Sequence, residues 1–143
     1  MFILSIFVLK VYVMDKSAVF AQIDNLKPEM VEALMSLISV SAVAPENGGD
    51  GEAQKARRLL QLLEKVGFDK VKCFDAPDLR VSGGVRPNVV AYFYGASDVR
   101  RLWIITHLDV VPSGDVGLWT ETLPFVPILS GDRVVGRGSE DNG

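Results

Sequence analysis

The sequence is poor in the residues from which small self-contained sites are usually built. It has one cysteine, Cys73, and one histidine, His107, among 143 residues. A lone cysteine excludes an internal disulfide and a cysteine-based zinc site, and it makes a reducing, cytoplasmic setting the default. A lone histidine excludes any chemistry that needs two imidazoles from this chain. Basic blocks are missing as well. Fifteen Lys and Arg stand against eighteen Asp and Glu, a net charge of −3, and the densest basic spots are only the pairs Arg57–Arg58 and Arg100–Arg101. Nucleic acid is therefore not an expected partner, because phosphate binding needs clustered cations. Nor is a membrane expected: no apolar run reaches the roughly 20 residues that a span requires.

The longest apolar stretch, Met1 to Val13, is broken by Ser5 and Lys10. It lacks the basic leader of a secretory signal, although Ala18 and Ala21 imitate the small residues of a cleavage site. Three readings stand for it: a misplaced translation start upstream of Met14, an exported leader, or a buried strand or helix, which periodicity does not separate. The first is preferred. The domain is then expected over residues 14–143, and a chain beginning at Met14 is expected to express as well as the whole.

What is present reads as an α/β unit, with 48% hydrophobic residues to build a core. Asp15 to Leu26 and Pro28 to Ile38 read as two helical stretches, Pro28 suiting a first helical turn. Val31, Leu34, Met35 and Ile38 recur at helical spacing and should face a core. After a turn-rich loop, Pro45 to Gly51, Asp50 suits an N-cap. Ala53, Ala56, Leu60, Leu63 and Val66 form an apolar stripe that Gly67 terminates. Val71 to Phe74, Val89 to Tyr94 and Leu102 to Thr106 read as strands. The last two are almost continuously apolar, which suits central strands covered on both faces. Val126 to Leu129 and Val134 to Val135 flank a turn and predict a hairpin.

Chemistry gathers at two places. His107 and Asp109 follow the most strand-like run, and residues two apart in an extended chain point to one side, about 6–7 Å along it. A carboxylate bonded to one imidazole nitrogen fixes the tautomer that frees the other nitrogen for a metal. The second place is the loop Gly136-Arg137-Gly138-Ser139-Glu140-Asp141, whose carboxylates suit a divalent cation. Taken singly, each is weak. A single histidine at a strand end is more often a hydrogen-bonded residue than a ligand, and an acidic glycine-rich loop is usually a solvated turn. Gly136-x-Gly138-x-x-Asp141 lacks the third glycine of a dinucleotide loop, and Ser139 has no nucleophile-elbow frame.

In combination the motifs are far more specific. His107-Leu108-Asp109-Val110-Val111-Pro112, then Leu118-Trp119, Pro124-Phe125 and Gly136-Arg137-Gly138-Ser139-Glu140-Asp141, resemble the acetylornithine deacetylase/succinyl-diaminopimelate desuccinylase/aminoacylase family of metallohydrolases in order and spacing. The resemblance extends over most of residues 14–143. It implies the N-terminal part of a zinc-peptidase-like catalytic domain, with a mixed, mostly parallel sheet flanked by helices. It also implies two divalent ions, zinc or cobalt with manganese a further option. His107 would be a ligand of one ion, Asp141 a carboxylate bridging both, and Asp109 the catalytic carboxylate that orients His107. Members act on small N-acyl amino acids or peptides, and some are homodimers. They carry a Glu-Glu pair, a further acidic ligand, a late histidine and an inserted lid domain, none of which occurs here. The chain is accordingly expected to be an N-terminal portion, marginally stable and inactive by itself. A non-catalytic interaction module, or a degenerate remnant with a partial metal site, is the alternative. Asn142-Gly143 departs from the family pattern and leaves the substrate subgroup open.

Overall fold

The computed structural model describes the backbone of residues 2–4 and residues 15–97 and 99–141. Its first long element is helix α1, Lys16–Ile38. Asp15 caps it, its carboxylate accepting from the Ser17 amide at 3.0 Å, which satisfies one of the orphan donors of a first turn. The two helical stretches expected around Pro28 are one helix, with Pro28 inside it. An interior proline removes a single backbone bond. Strong helix formers on both sides, among them Ala21, Leu26, Glu29 and Met30, carry the helix across that gap. Val31, Leu34 and Met35 are half-buried, and Ile38 is the residue of α1 that is fully enclosed.

Helix α2, Ala53–Val66, ends at Gly67 in the left-handed conformation, φ +74°. Its buried face is Lys55, Ala56, Leu59 and Leu63, rotated from the expected stripe, so that Val66 is exposed. Asp50 does not cap α2. Glu52 holds the cap position, and Asp50 accepts instead from the amide (2.6 Å) and hydroxyl of Ser82, because a loop 32 residues away offers both donors at once.

The strands are β1 (Phe2–Leu4), β2 (Lys70–Cys73), β3 (Ala76–Pro77), β4 (Val85–Arg86), β5 (Val89–Tyr92), β6 (Ile104–Thr106), β7 (Ile128–Ser130) and β8 (Arg133–Val135). One four-stranded sheet runs in the order β2-β5-β1-β6. Only β1 and β5 pair in parallel; β2–β5 and β1–β6 are antiparallel. The expected mostly parallel sheet is therefore corrected to a mixed one with an antiparallel majority. Parallel neighbours need a long crossover, usually a helix. Here both long helices precede β2, and the excursion from β2 to β5 contains only the small β3–β4 hairpin. Phe74 and Asn88 continue the antiparallel ladder beyond β2 with amide-to-carbonyl distances of 2.7 and 3.2 Å.

Strand β5 is central, with Val89, Val90 and Ala91 all buried. Strand β6 was expected to be covered on both faces, but it lies at the sheet edge with Ile105 61% exposed. The core joins Ala56, Leu59 and Leu63 of α2 to Val89, Ala91 and Leu108, so the sequence just after β6 is pinned under α2. The β7–β8 hairpin forms as expected, Ile128 opposite Val135. Of the first thirteen residues, Phe2–Leu4 pairs as a strand; the remainder of that stretch, including its junction with Met14, lies outside the described residues. No described helix is long and apolar enough to cross a membrane.

Lys55 is an anomaly in this core. It is 1% exposed, and among the described residues its ammonium has no hydrogen-bond partner. Burial pushes its pKa below the ordinary 10.5, with the Asp109 charge opposing that shift. The unfolded chain then holds more protons than the folded one between the lowered value and 10.5, so stability should rise with pH through that window. Replacing Lys55 by Met removes an unsatisfied buried donor, whose desolvation is worth about 1–3 kcal/mol. Lys55→Met is expected to be more stable in urea at neutral pH by that order and to lose the alkaline rise. A destabilised variant would show that the ammonium has a stabilising role in the core.

Candidate metal site

The site is built from two arms. The first is the chain leaving β6, where Thr106 ends the strand and His107 follows directly. A parallel bridge between Val43 and Val110, with the Val110 amide donating to the Ala42 carbonyl at 3.0 Å, fixes this arm just past Asp109. The second arm leaves β8 and turns through Gly136, Arg137 and Gly138 towards Asp141.

The two glycines of that turn serve different needs. Gly138 has φ +86°, a left-handed conformation that side chains resist. Gly136 is a matter of space: a Cβ there would stand 2.6 Å from Ile38 Cγ2, and Ile38 is wholly buried at the end of α1. Gly136→Ala should cost about 1–3 kcal/mol as overpacking. In a double-mutant cycle with Ile38→Ala, which empties the clash, the combined loss should fall below the sum of the single losses. Additive losses in chemical denaturation would mean that the two residues do not meet.

The arms bring His107 and Asp141 together. His107 Nε2 lies 3.3 Å from Asp141 Oδ1. On the other side of the ring, Nδ1 is 3.0 Å from the Asp109 carbonyl oxygen and 3.4 Å from Asp109 Oδ1. Both neighbours of Nδ1 only accept. Nδ1 therefore carries a proton and donates it, chiefly to the carbonyl. Asp109 thus orients the ring through its main chain at the shorter distance and through its carboxylate at the longer one. The sequence reading foresaw only the carboxylate.

Nε2 faces a carboxylate oxygen across 3.3 Å, a distance that a long N–H···O bond spans and that also suits two ligands of one tetrahedral ion, each about 2.0–2.2 Å from it. An imidazole nitrogen with a carboxylate is a fitting donor pair for zinc, cobalt or manganese. Asp141 has a side chain 85% exposed, so the far side of the site is open. Among the described residues no group of three or more His, Cys, Asp or Glu could hold a metal. A catalytic zinc usually takes three protein ligands, so the described residues do not make up such a site by themselves.

Beside Asp109 opens a cleft of about 220 Å³, with Glu52, Arg86, Asn88 and Asp109 on its polar wall. Glu52 is buried and forms a two-pronged ion pair with Arg86, one prong at 3.0 Å. The hydrogen bonds to Glu52 raise the Arg86 pKa further above its already high value. The sequence reading missed this pair and Lys55. Lys55, Leu59 and Leu63 are spaced i, i+4, i+8 on the buried face of α2, a pattern that was readable. The partnership of Glu52 with Arg86 spans 34 residues and left no local signal.

No family model matches the chain, and no solved structure matches it. Curated proteins do. A metallohydrolase of Methanocaldococcus jannaschii is 34% identical over 122 residues, covering 82% of this chain and 29% of its own length. A metallohydrolase of Methanococcus maripaludis is 38% identical over 119 residues, covering 80% and 28%. The succinyl-diaminopimelate desuccinylase of Methylibium petroleiphilum is 34% identical over 118 residues, covering 81% and 28%. The chain therefore spans less than a third of the relatives it matches. Motif order and these alignments agree: the chain is a distant homologue of the metallohydrolases and succinyl-diaminopimelate desuccinylases, aligned with them over about four-fifths of its own length.

Proposed function

We propose that the chain supplies part of the metal cradle of a hydrolase that cleaves amide bonds in N-acyl amino acids or small peptides. Its residues would act together with sequence corresponding to the rest of the relatives' length. The observation that carries this reading is the convergence of His107 Nε2 on Asp141 Oδ1 at 3.3 Å, with the opposite ring nitrogen held as a donor.

In this reading His107 and Asp141 would be ligands, and Asp109 would be the carboxylate that keeps the His107 ring aimed. Divalent ions held there, zinc or cobalt and with less affinity manganese, would supply Lewis acidity to a water and to the amide carbonyl. The part of the chain itself is preparatory. The Asp109 carbonyl holds the proton on Nδ1, and the Val43–Val110 bridge holds the β6 arm. The Gly136–Ile38 contact seats the second arm. The family's Glu-Glu pair, one member of which would carry the proton to the leaving amine, does not occur in this chain. The 143-residue chain should accordingly be inactive by itself.

The experiment joins this chain to the remaining sequence of the Methanococcus maripaludis relative and assays N-acetyl and N-succinyl amino acids with zinc or cobalt. Metal-dependent release of the amine by the joined protein, and none by the chain alone, supports the reading. A joined protein that folds and binds metal but cleaves none of these amides would favour the non-catalytic binding module.

A further inference from the structure

Arg137 belongs to the Gly136-Arg137-Gly138 turn, yet it is neither a ligand nor a partner of one. Its Nη2 donates to the Ser113 carbonyl at 3.1 Å. Trp119 Nε1 donates to that same oxygen at 3.0 Å, and the Arg137 guanidinium carbon lies over the Trp119 ring, 5.2 Å from its centroid. The Arg137 amide is fastened separately, to the Pro124 carbonyl at 2.6 Å. Nε of Arg137 is buried without a hydrogen-bond partner, and among the described residues no carboxylate pairs with this cation. A guanidinium kept against one carbonyl and one ring, with no counter-charge, is poorly explained by stability. It is well placed for something else. Ser113 and Trp119 lie on the His107 arm, Arg137 on the Asp141 arm, and only three residues separate Arg137 from Asp141.

Resting on the metal-site reading above, we propose that Arg137 is a positioning residue. By clamping the Ser113 carbonyl together with Trp119, it registers the Asp141 arm against the His107 arm and so sets the spacing of the two donor atoms. A metal centre tolerates ligand distances off by only about 0.2 Å, so a slack clamp reads out as weaker and differently shaped coordination. Arg137 is the last anchored residue before Gly138 reverses the chain, which makes it the point from which Asp141 is aimed.

The test titrates cobalt into the protein joined to the remaining sequence of the Methanococcus maripaludis relative and follows the visible d–d absorption. Hydrogen exchange of the metal-free protein runs in parallel. Arg137→Met should weaken cobalt binding about tenfold, the lower end of the range for orienting partners, and change the shape of the d–d band. Exchange should quicken at both Ser113–Trp119 and Gly138–Asp141 while β5 stays protected. Arg137→Lys should recover only part of the loss, because an ammonium cannot both donate in that fork direction and lie flat on the ring. Trp119→Phe, which keeps a ring and drops one donor, should move the same readouts less. Unchanged affinity and band shape in Arg137→Met would overturn the proposal. Absence of any cobalt spectrum from the unsubstituted joined protein would remove the metal-site reading instead. The clamp is then decided by exchange alone, and unchanged protection in both arms would overturn it.

Discussion

Replacing His107 by Ala in the protein completed with its relative's remaining sequence should abolish amide cleavage, a loss of at least about a thousandfold. The size follows from what is removed. His107 is this chain's only imidazole, so no other residue of this chain can take its place, and Asp141 with its 85% exposed side chain is a solvated carboxylate without it. Asp109→Ala removes the longer contact, at 3.4 Å, and leaves the carbonyl at 3.0 Å to hold the ring. It should cost less, about 10–100-fold in metal affinity or activity. Measured turnover and cobalt affinity in the same preparations separate the two effects. Retained turnover in His107→Ala would remove His107 from the site, whereas equal losses in both variants would mean that the Asp109 carboxylate does more than steady the ring.

The largest expected loss of stability lies elsewhere. Arg86→Met should destabilise the fold by about 3–5 kcal/mol, the usual result of stripping a buried charge of its partner. Glu52 is 6% exposed and spends both carboxylate oxygens on Arg86. It also stands at the start of α2, where its carbonyl accepts from the Ala56 amide at 2.8 Å. Substituting Glu52 by Gln as well should recover most of the loss, because a neutral amide needs no counter-ion. Urea unfolding of the single and double variants checks both statements. A loss under about 1 kcal/mol in Arg86→Met would class the pair with ordinary surface bridges.

These two predictions differ in how much of their basis was legible in the sequence. His107, Asp109 and Asp141 could be singled out as candidates because a strand ending in a histidine, and a glycine-bounded acidic turn, are local patterns; their roles as ligands came from the family resemblance alone. That the first two are two residues apart was enough to suggest that the ring is oriented by Asp109. Which atom of Asp109 does so was not, since carbonyl and carboxylate lie at 3.0 and 3.4 Å, a difference that only backbone geometry decides. The hairpin at 128–135 and the left-handed Gly67 were legible for the same local reason. Strand direction was not. Periodicity reports which face is buried but carries nothing about the orientation of a neighbour, and β2–β5 came out antiparallel because no helix intervenes between them. Pro28 misled through its own chemistry: it is at home in a first turn, and nothing local says when flanking residues will carry a helix past it.

The segment from Ile38 to Val43 joins these threads. Ile38 meets Gly136 on one arm, and Ala42 and Val43 hold Val110 on the other. The end of α1 therefore helps to seat both arms. In the metal-site reading, thermodynamic reciprocity requires that metal bound between the arms would stabilise that segment as much as the segment favours binding. The end of α1, with no ligand of its own, would then act as an effector of the site. A population of chains frayed at residues 38–43 would register as a lower apparent metal affinity, with every ligand intact.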